Sequence, residues 1–207
     1  MNRLLKSALY LSLVCIPFVA QAQFKMPSLL GGGNKLSGAQ DQLVAQYTAA
    51  DKDVLDANGK MDDAIGLKDQ AAQARAELAA LNSGSTQGNL SDADKAISDN
   101  QAVTDEAFKN PPEMDAKAKA TFTEGLESLG KGVIKYVAMR SSVTSFANSL
   151  TSVSPIMLPK LQTGSYIVKA FPPNSKNLFT SLNHAIVFAK AHDITIPSDA
   201  TVALGSM

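Results

Sequence analysis

The chain has 207 residues, 19 basic and 19 acidic side chains, a formal net charge of zero and 45% hydrophobic residues. This leaves no basic excess for nucleic-acid binding, and the length suits a single domain with its own core. One cysteine, no tryptophan and much alanine exclude a disulfide framework and favour helix over strand.

Arg3 and Lys6 precede the apolar run ALYLSLVCIPFVA, and Ala20-Gln21-Ala22 follows it. A charged start, a short apolar run and a small-residue site predict a secretory signal peptide over residues 1–22, cut after Ala22. The run is too short for a permanent membrane span, so no transmembrane segment is expected. Cys15 follows a bulky Val14, which does not suit a lipoprotein signal. Cleavage removes the only cysteine, and the expected location is periplasmic or secreted. Residues 23–38, QFKMPSLLGGGNKLSG, read as a flexible Gly-rich tether.

Over residues 39–193 the pattern predicts one helical domain. From Ala39 to Leu81, Leu43, Tyr47, Ala50, Val54, Ala57, Met61 and Ala64 recur at spacings of four and three. This is a packing seam of small and medium side chains facing a partner helix. The stretch DKDVLDANGKMDD lies inside it and resembles a calcium loop. The calcium template needs oxygen ligands at positions one, three and five, Gly at six and Glu at twelve. Gly59 at six places Val54 at one and Ile65 at twelve, so the template fails. The acids then read as the solvated face of the helix, with Gly59 a weak point costing about 1 kcal/mol.

NSGSTQGN, from Asn82 to Asn89, is a loop by composition. Ser91, with Asp94 three residues on, is expected to cap a helix running to about Lys109, with Ala93, Ala96, Val103 and Ala107 inward. Pro111 and Pro112 end it. A long helix follows from about Glu113 to Ser152, with Ala118, Phe122, Leu126, Leu129, Val133, Val137, Ala147 and Leu150 on its buried stripe. Gly130 and Gly132 are candidate break points. A helix is preferred to a lone strand for Pro155–Phe171, then a last helix from Pro172-Pro173 to about His192. Residues 194–207 read as an irregular tail. The predicted fold is all-α: an elongated helical bundle of about five helices, two of them long.

Charge is segregated along the chain. From Asp41 to Asp115 there are fifteen acids and six bases, and from Ala116 onward four acids and nine bases. Acidic early helices beside basic later ones, weakly paired at the surface, account for this most simply.

The motif fragments do not assemble into chemistry. Ser128-Leu129-Gly130-Lys131 and Ser98-Asp99-Asn100 resemble parts of a serine–lysine acyl-transfer site, but in reversed order and without a Lys-Thr-Gly. Glu124 and Glu127 lack the Glu-x-x-His partners of di-iron bundles. His184 and His192 are eight residues apart, about 80° around a helix, and do not share a metal ion. Met61, Met114 and Met139 read as core filler rather than haem ligands. No catalytic, cofactor or metal residue is assigned, and no cofactor is expected. The expected function is that of an exported non-catalytic helical protein acting through protein–protein contact, as an adaptor, assembly factor or envelope scaffold. A homo-oligomer is compatible with that reading. The rival is a periplasmic carrier of a small molecule or lipid, its pocket between helices lined by Val133, Val137, Met139 and Phe146.

Overall fold

The computed structural model describes residues 33–82 and 84–206. Among them lie six α-helices and no strand: α1 (Gly33–Ala64), α2 (Lys68–Ala80), α3 (Gln87–Ala107), α4 (Ala116–Leu150), α5 (Gln162–Ala191) and α6 (Ser198–Gly205). A single 3-10 turn, Leu158–Leu161, leads into α5. The chain is therefore all-α, and residues 166–171 are helical. The expected signal peptide and residues 23–32 of the expected tether lie outside the described residues. The remainder of that tether is not loose chain, because α1 already begins at Gly33. Leu36 and Ala39 pack on the core and hold this first turn in place.

The helix expected over residues 39–81 is two helices. It stops after Ala64, at Gly66, whose φ of 83° suits glycine and few other residues. The Gly66 amide donates to the Asp63 carbonyl at 3.3 Å and the Leu67 amide to the Asp62 carbonyl at 2.8 Å. These paired bonds form a Schellman ending, with apolar Leu67 just beyond the glycine. Gly59 stays within α1.

All seven seam residues, Leu43, Tyr47, Ala50, Val54, Ala57, Met61 and Ala64, are no more than 8% exposed. The most extensive neighbour of α1 is α4. Two glycines of α4 let the backbones approach. A Cβ at Gly125 would lie 2.5 Å from Met61 Cγ and 3.1 Å from the Ala57 carbonyl oxygen. A Cβ at Gly132 would lie 2.8 Å from Val54 Cγ2. These positions are seven residues apart, the repeat of the seam itself. Gly130 and Gly132 do not interrupt α4; Gly130 faces the backbone of α6 at Asp199 and Ala200.

Three further elements differ from expectation. The N-cap of α3 is Thr86 rather than Ser91, with Asn89 completing a capping box: the Thr86 amide donates to Asn89 Oδ1 at 3.0 Å. Val103, expected inward, is 37% exposed, while Asp94, Asn100 and Thr104 are buried. Pro172 and Pro173 do not separate two helices but lie inside α5. The expected irregular tail contains α6, whose Ala200 and Ala203 are fully buried.

Candidate functional site

The acids of α1 do not all form a solvated face. Asp51 and Asp62 are fully buried, and Asp94 of α3 is 8% exposed. Eleven residues separate Asp51 from Asp62, about 20° around a helix, so both fall on one stripe. Packing of α1 against α2, α3, α4 and α5 covers that stripe and overrides its polarity. Among the described residues no ion pair reaches any of the three acids.

Tyrosines and amides satisfy them instead. Tyr47 directs its hydroxyl between the two oxygens of Asp94, at 3.0 and 2.9 Å. Tyr166 of α5 donates to Asp94 Oδ2 at 2.5 Å, and Asn174 Nδ2 donates to Tyr47 Oη at 2.7 Å. Beside this set, Tyr136 of α4 donates to Asp51 Oδ1 at 2.8 Å. Asp51 Oδ2 is buried and has no hydrogen-bond partner among the described residues. The Tyr47 and Tyr136 rings lie 5.4 Å apart, and Phe171 stacks on Tyr136 at 5.6 Å.

Burial, reinforced by the Asp94 charge, pushes the Asp51 carboxyl well above the usual carboxylate range. Burial also raises Asp94, against the bonds from Tyr166 and Tyr47. Burial and the nearby acids hold Tyr47 and Tyr136 far above their ordinary value, so both remain protonated donors. A second set lies further along α1. Asp62 accepts from Thr104 Oγ1 at 3.0 Å and from the Asn100 amide. Burial raises Asp62 to about 6, although both bonds oppose the shift.

The serine–lysine fragments do not converge. Ser128 Oγ donates to Asp56 Oδ2 at 2.6 Å and accepts from Lys60 Nζ at 3.3 Å. Lys131 pairs with Glu127 at 2.5 Å, and Asp99 pairs with Lys95. Burial works to raise Asp56, but the Lys60 and Ser128 bonds outweigh it and hold the group below its usual range. His184 meets Asp105 at 2.8 Å, whereas His192 packs on the Phe188 ring at 4.4 Å, so the histidines serve different contacts. Among the described residues no group of three or more His, Cys, Asp or Glu is arranged to hold a metal ion. Among the described residues, the ion pairs between the acidic and basic parts of the chain are Lys135–Asp53 at 2.6 Å and His184–Asp105.

A cavity of about 530 Å³ lies beside the tyrosine–carboxylate set and opens to solvent. Gln87 at the start of α3, Pro155 and Leu158 of the connecting turn, and Gln162, Tyr166 and Lys169 of α5 form its walls. Tyr166 thus faces the cavity and also holds a buried acid. The residues expected to line a pocket are elsewhere. Val133, Met139 and Phe146 are buried in the core, Val137 is half-buried, and none of the four lines this cavity. Phe146 is packed against Gly164, where a Cβ would meet the ring at 2.5 Å.

No protein-family model matches the chain, and neither a curated protein nor a solved structure shows significant similarity to it. Chemically, the set combines three phenol donors with two carboxylates and, among the described residues, no ion pair. The periodicity of the sequence concealed it, since Asp51, Asp62 and Asp94 occupy helical positions that an apolar count leaves to solvent.

Proposed function

We propose that this chain is an exported, non-catalytic helical protein that works by contact with another protein, as an adaptor, assembly factor or envelope scaffold. The observation that carries this reading is an apolar, proline-bounded turn at the mouth of the cavity. Ile156 is 83% exposed and Leu158 is 44% exposed, between Pro155 and Pro159. Large aliphatic side chains left in water at the rim of a concavity are a usual mark of a contact site. The prolines limit the backbone freedom lost when a partner docks. The basic residue at this rim, Lys169, suits a partner segment that is apolar with an acidic flank. We take the arrangement to be an elongated bundle, because α1 and α4 have 32 and 35 residues. At 1.5 Å per residue each reaches roughly 50 Å. No helix among the described residues is long and apolar enough to cross a membrane.

A photo-cross-linking residue at position 156 of the full chain, in cells that make it, tests the reading. A discrete adduct with a second protein species at position 156, absent from position 187 on α5 and lost with Leu158→Asp, is expected. An adduct at twice the chain mass would identify the partner as a second copy. Absence of any adduct at position 156 would sink the proposal.

The carrier reading is weaker in the form expected from the sequence. An enclosed apolar pocket suits a lipid, whereas the cavity beside Tyr166 is open and bears Gln87, Gln162 and Lys169.

A further inference from the structure

The cavity beside Tyr166 changes character along its length. Pro155, Leu158 and Pro159 form its apolar end, where the 3-10 turn leads into α5. Gln162, Ser165, Tyr166 and Lys169 follow from the start of α5. Their spacings of three, one and three put them on one helix face. Between Gln162 and Lys169 that face rises by about 10 Å. Gln87, the first residue of α3, supplies a second wall. The cavity is thus aliphatic at the turn and cationic about two helical turns later.

Most of its polar groups are available to a ligand. Among the described residues the side chains of Gln87, Gln162, Ser165 and Lys169 make no hydrogen bond or ion pair. Tyr166 is the exception, because its hydroxyl donates to Asp94 of α3 and fixes the ring between the two helices. No acid lines the cavity, so the Lys169 charge has no counterpart in the lining. Each glutamine amide offers donors and an acceptor, the complement of a main-chain peptide group. Gln87 and Gln162 stand on different helices and so approach one backbone from two walls.

We propose, on the footing of the contact function above, that the cavity takes an extended segment of the partner protein, with an aliphatic side chain against Leu158 and an acidic side chain three residues away against Lys169. A polyproline II-like segment rises about 3.1 Å per residue with about three residues per turn. Residues three apart therefore lie on one side, about 9 Å from each other, close to the length of the α5 face. Such a backbone has no internal hydrogen bonds, which leaves its peptide groups to the two glutamines. The cavity is open to solvent, so the segment needs no free end. An acidic side chain, rather than a terminal carboxylate, then meets Lys169. The rings of Pro155 and Pro159 and the anchored Tyr166 ring keep the walls rigid and limit the entropy lost on docking.

Selection of random linear peptides on the immobilised full chain tests this, with each peptide fused at both ends so that neither is free. Enrichment of Leu, Ile, Val or Met three residues from Asp or Glu is expected. Fluorescence anisotropy of the enriched peptide, made synthetically, then gives its affinity. Lys169→Met should weaken binding about three- to fivefold, the range of an exposed ion pair, and flatten its salt dependence. Leu158→Asp should weaken it by about tenfold or more. Lys169→Glu should recover binding to a peptide whose acid is replaced by Lys. Both positions are exposed, so the variants should keep the helix content of the wild type by circular dichroism. If Leu158→Asp does not fold, the two Lys169 variants decide alone. No enriched pattern, or an enriched peptide indifferent both to Lys169→Met and to loss of its acid, would overturn the proposal. A cross-link from position 156 to a partner in cells, with no such peptide selected, would overturn it while leaving the contact function intact.

Discussion

Asp62→Asn should stabilise the protein near neutral pH and not in acid. Asp62 is fully buried and raised from its ordinary 3.8 to about 6 by desolvation. The folded state therefore holds this proton more tightly than the unfolded state does. Its stabilising contribution is complete below the unfolded value and is lost as pH rises through about 6. A shift of about two pKa units corresponds to about 3 kcal/mol. At neutral pH the wild-type protein bears that cost, whereas the amide of the variant is neutral throughout. Against the gain stands one hydrogen bond. Thr104 and Asn100 both donate to Asp62, and the introduced amide group meets a donor unless the Asn100 amide flips, costing about 1 kcal/mol. The net gain at about pH 8 is then about 1–3 kcal/mol, and about zero or slightly negative at about pH 4. Urea unfolding followed by far-UV circular dichroism measures both proteins across this range. The difference between them isolates Asp62 from the other acids. A difference curve without slope between about pH 4 and about pH 6.5, or a loss at neutral pH as large as that in acid, would refute the reasoning.

Three further substitutions probe the fold. Gly125→Ala forces a methyl group to within 2.5 Å of Met61 Cγ and 3.1 Å of backbone, and should cost about 1–3 kcal/mol in urea unfolding. Gly66→Ala, at φ 83°, should cost about 1–2 kcal/mol, although nothing lies within 4 Å of the added carbon; the loss would appear as a lower thermal midpoint with unchanged helix content. Tyr47→Phe removes the donor to Asp94 and the acceptor of Asn174. It should cost about 1–3 kcal/mol, measured by chemical unfolding at a pH where Asp62 is fully ionised.

The backbone was largely legible because its rules are local. The seam from Leu43 to Ala64 shows a sustained three–four spacing, and alanine makes that pattern hard to mistake for strand. The stop at Gly66 was also written in the chain. It follows the last apolar residue of the seam and precedes Leu67, whereas Gly59 sits mid-seam against Arg75 and Ala71. The Thr86-x-x-Asn89 box was less visible because Asn replaces the usual Glu or Gln. Pro172-Pro173 defeated local reasoning for a different cause. Tertiary anchors at Tyr166, Phe171 and Asn174 support the helix where two of its amide donors are missing. The candidate site was illegible for the same reason. Asp94 and Tyr47 are 47 positions apart, and Asp51 and Tyr136 are 85 apart. Spacing within one helix carries no trace of donors arriving from others.

Both interfaces that hold α1, toward α4 and toward α3, carry buried acids. Toward α4 it presents Ala50, Val54, Ala57 and Met61 to two glycines, and beside that close apolar contact Tyr136 donates to Asp51, Ser128 to Asp56 and Lys135 pairs with Asp53. Toward α3 its polar links end on acids: Asp62 receives Asn100 and Thr104, while Asp94 receives Tyr47. Burial raises Asp62 and Asp94 against these bonds, so the attachment of α3 loses stability as the acids ionise, and the Tyr136–Asp51 link makes the α1–α4 interface respond in the same direction. Because α5 is bonded to Asp94 on α3 through Tyr166, loosening at this layer reaches the first half of α5 and the wall of the cavity.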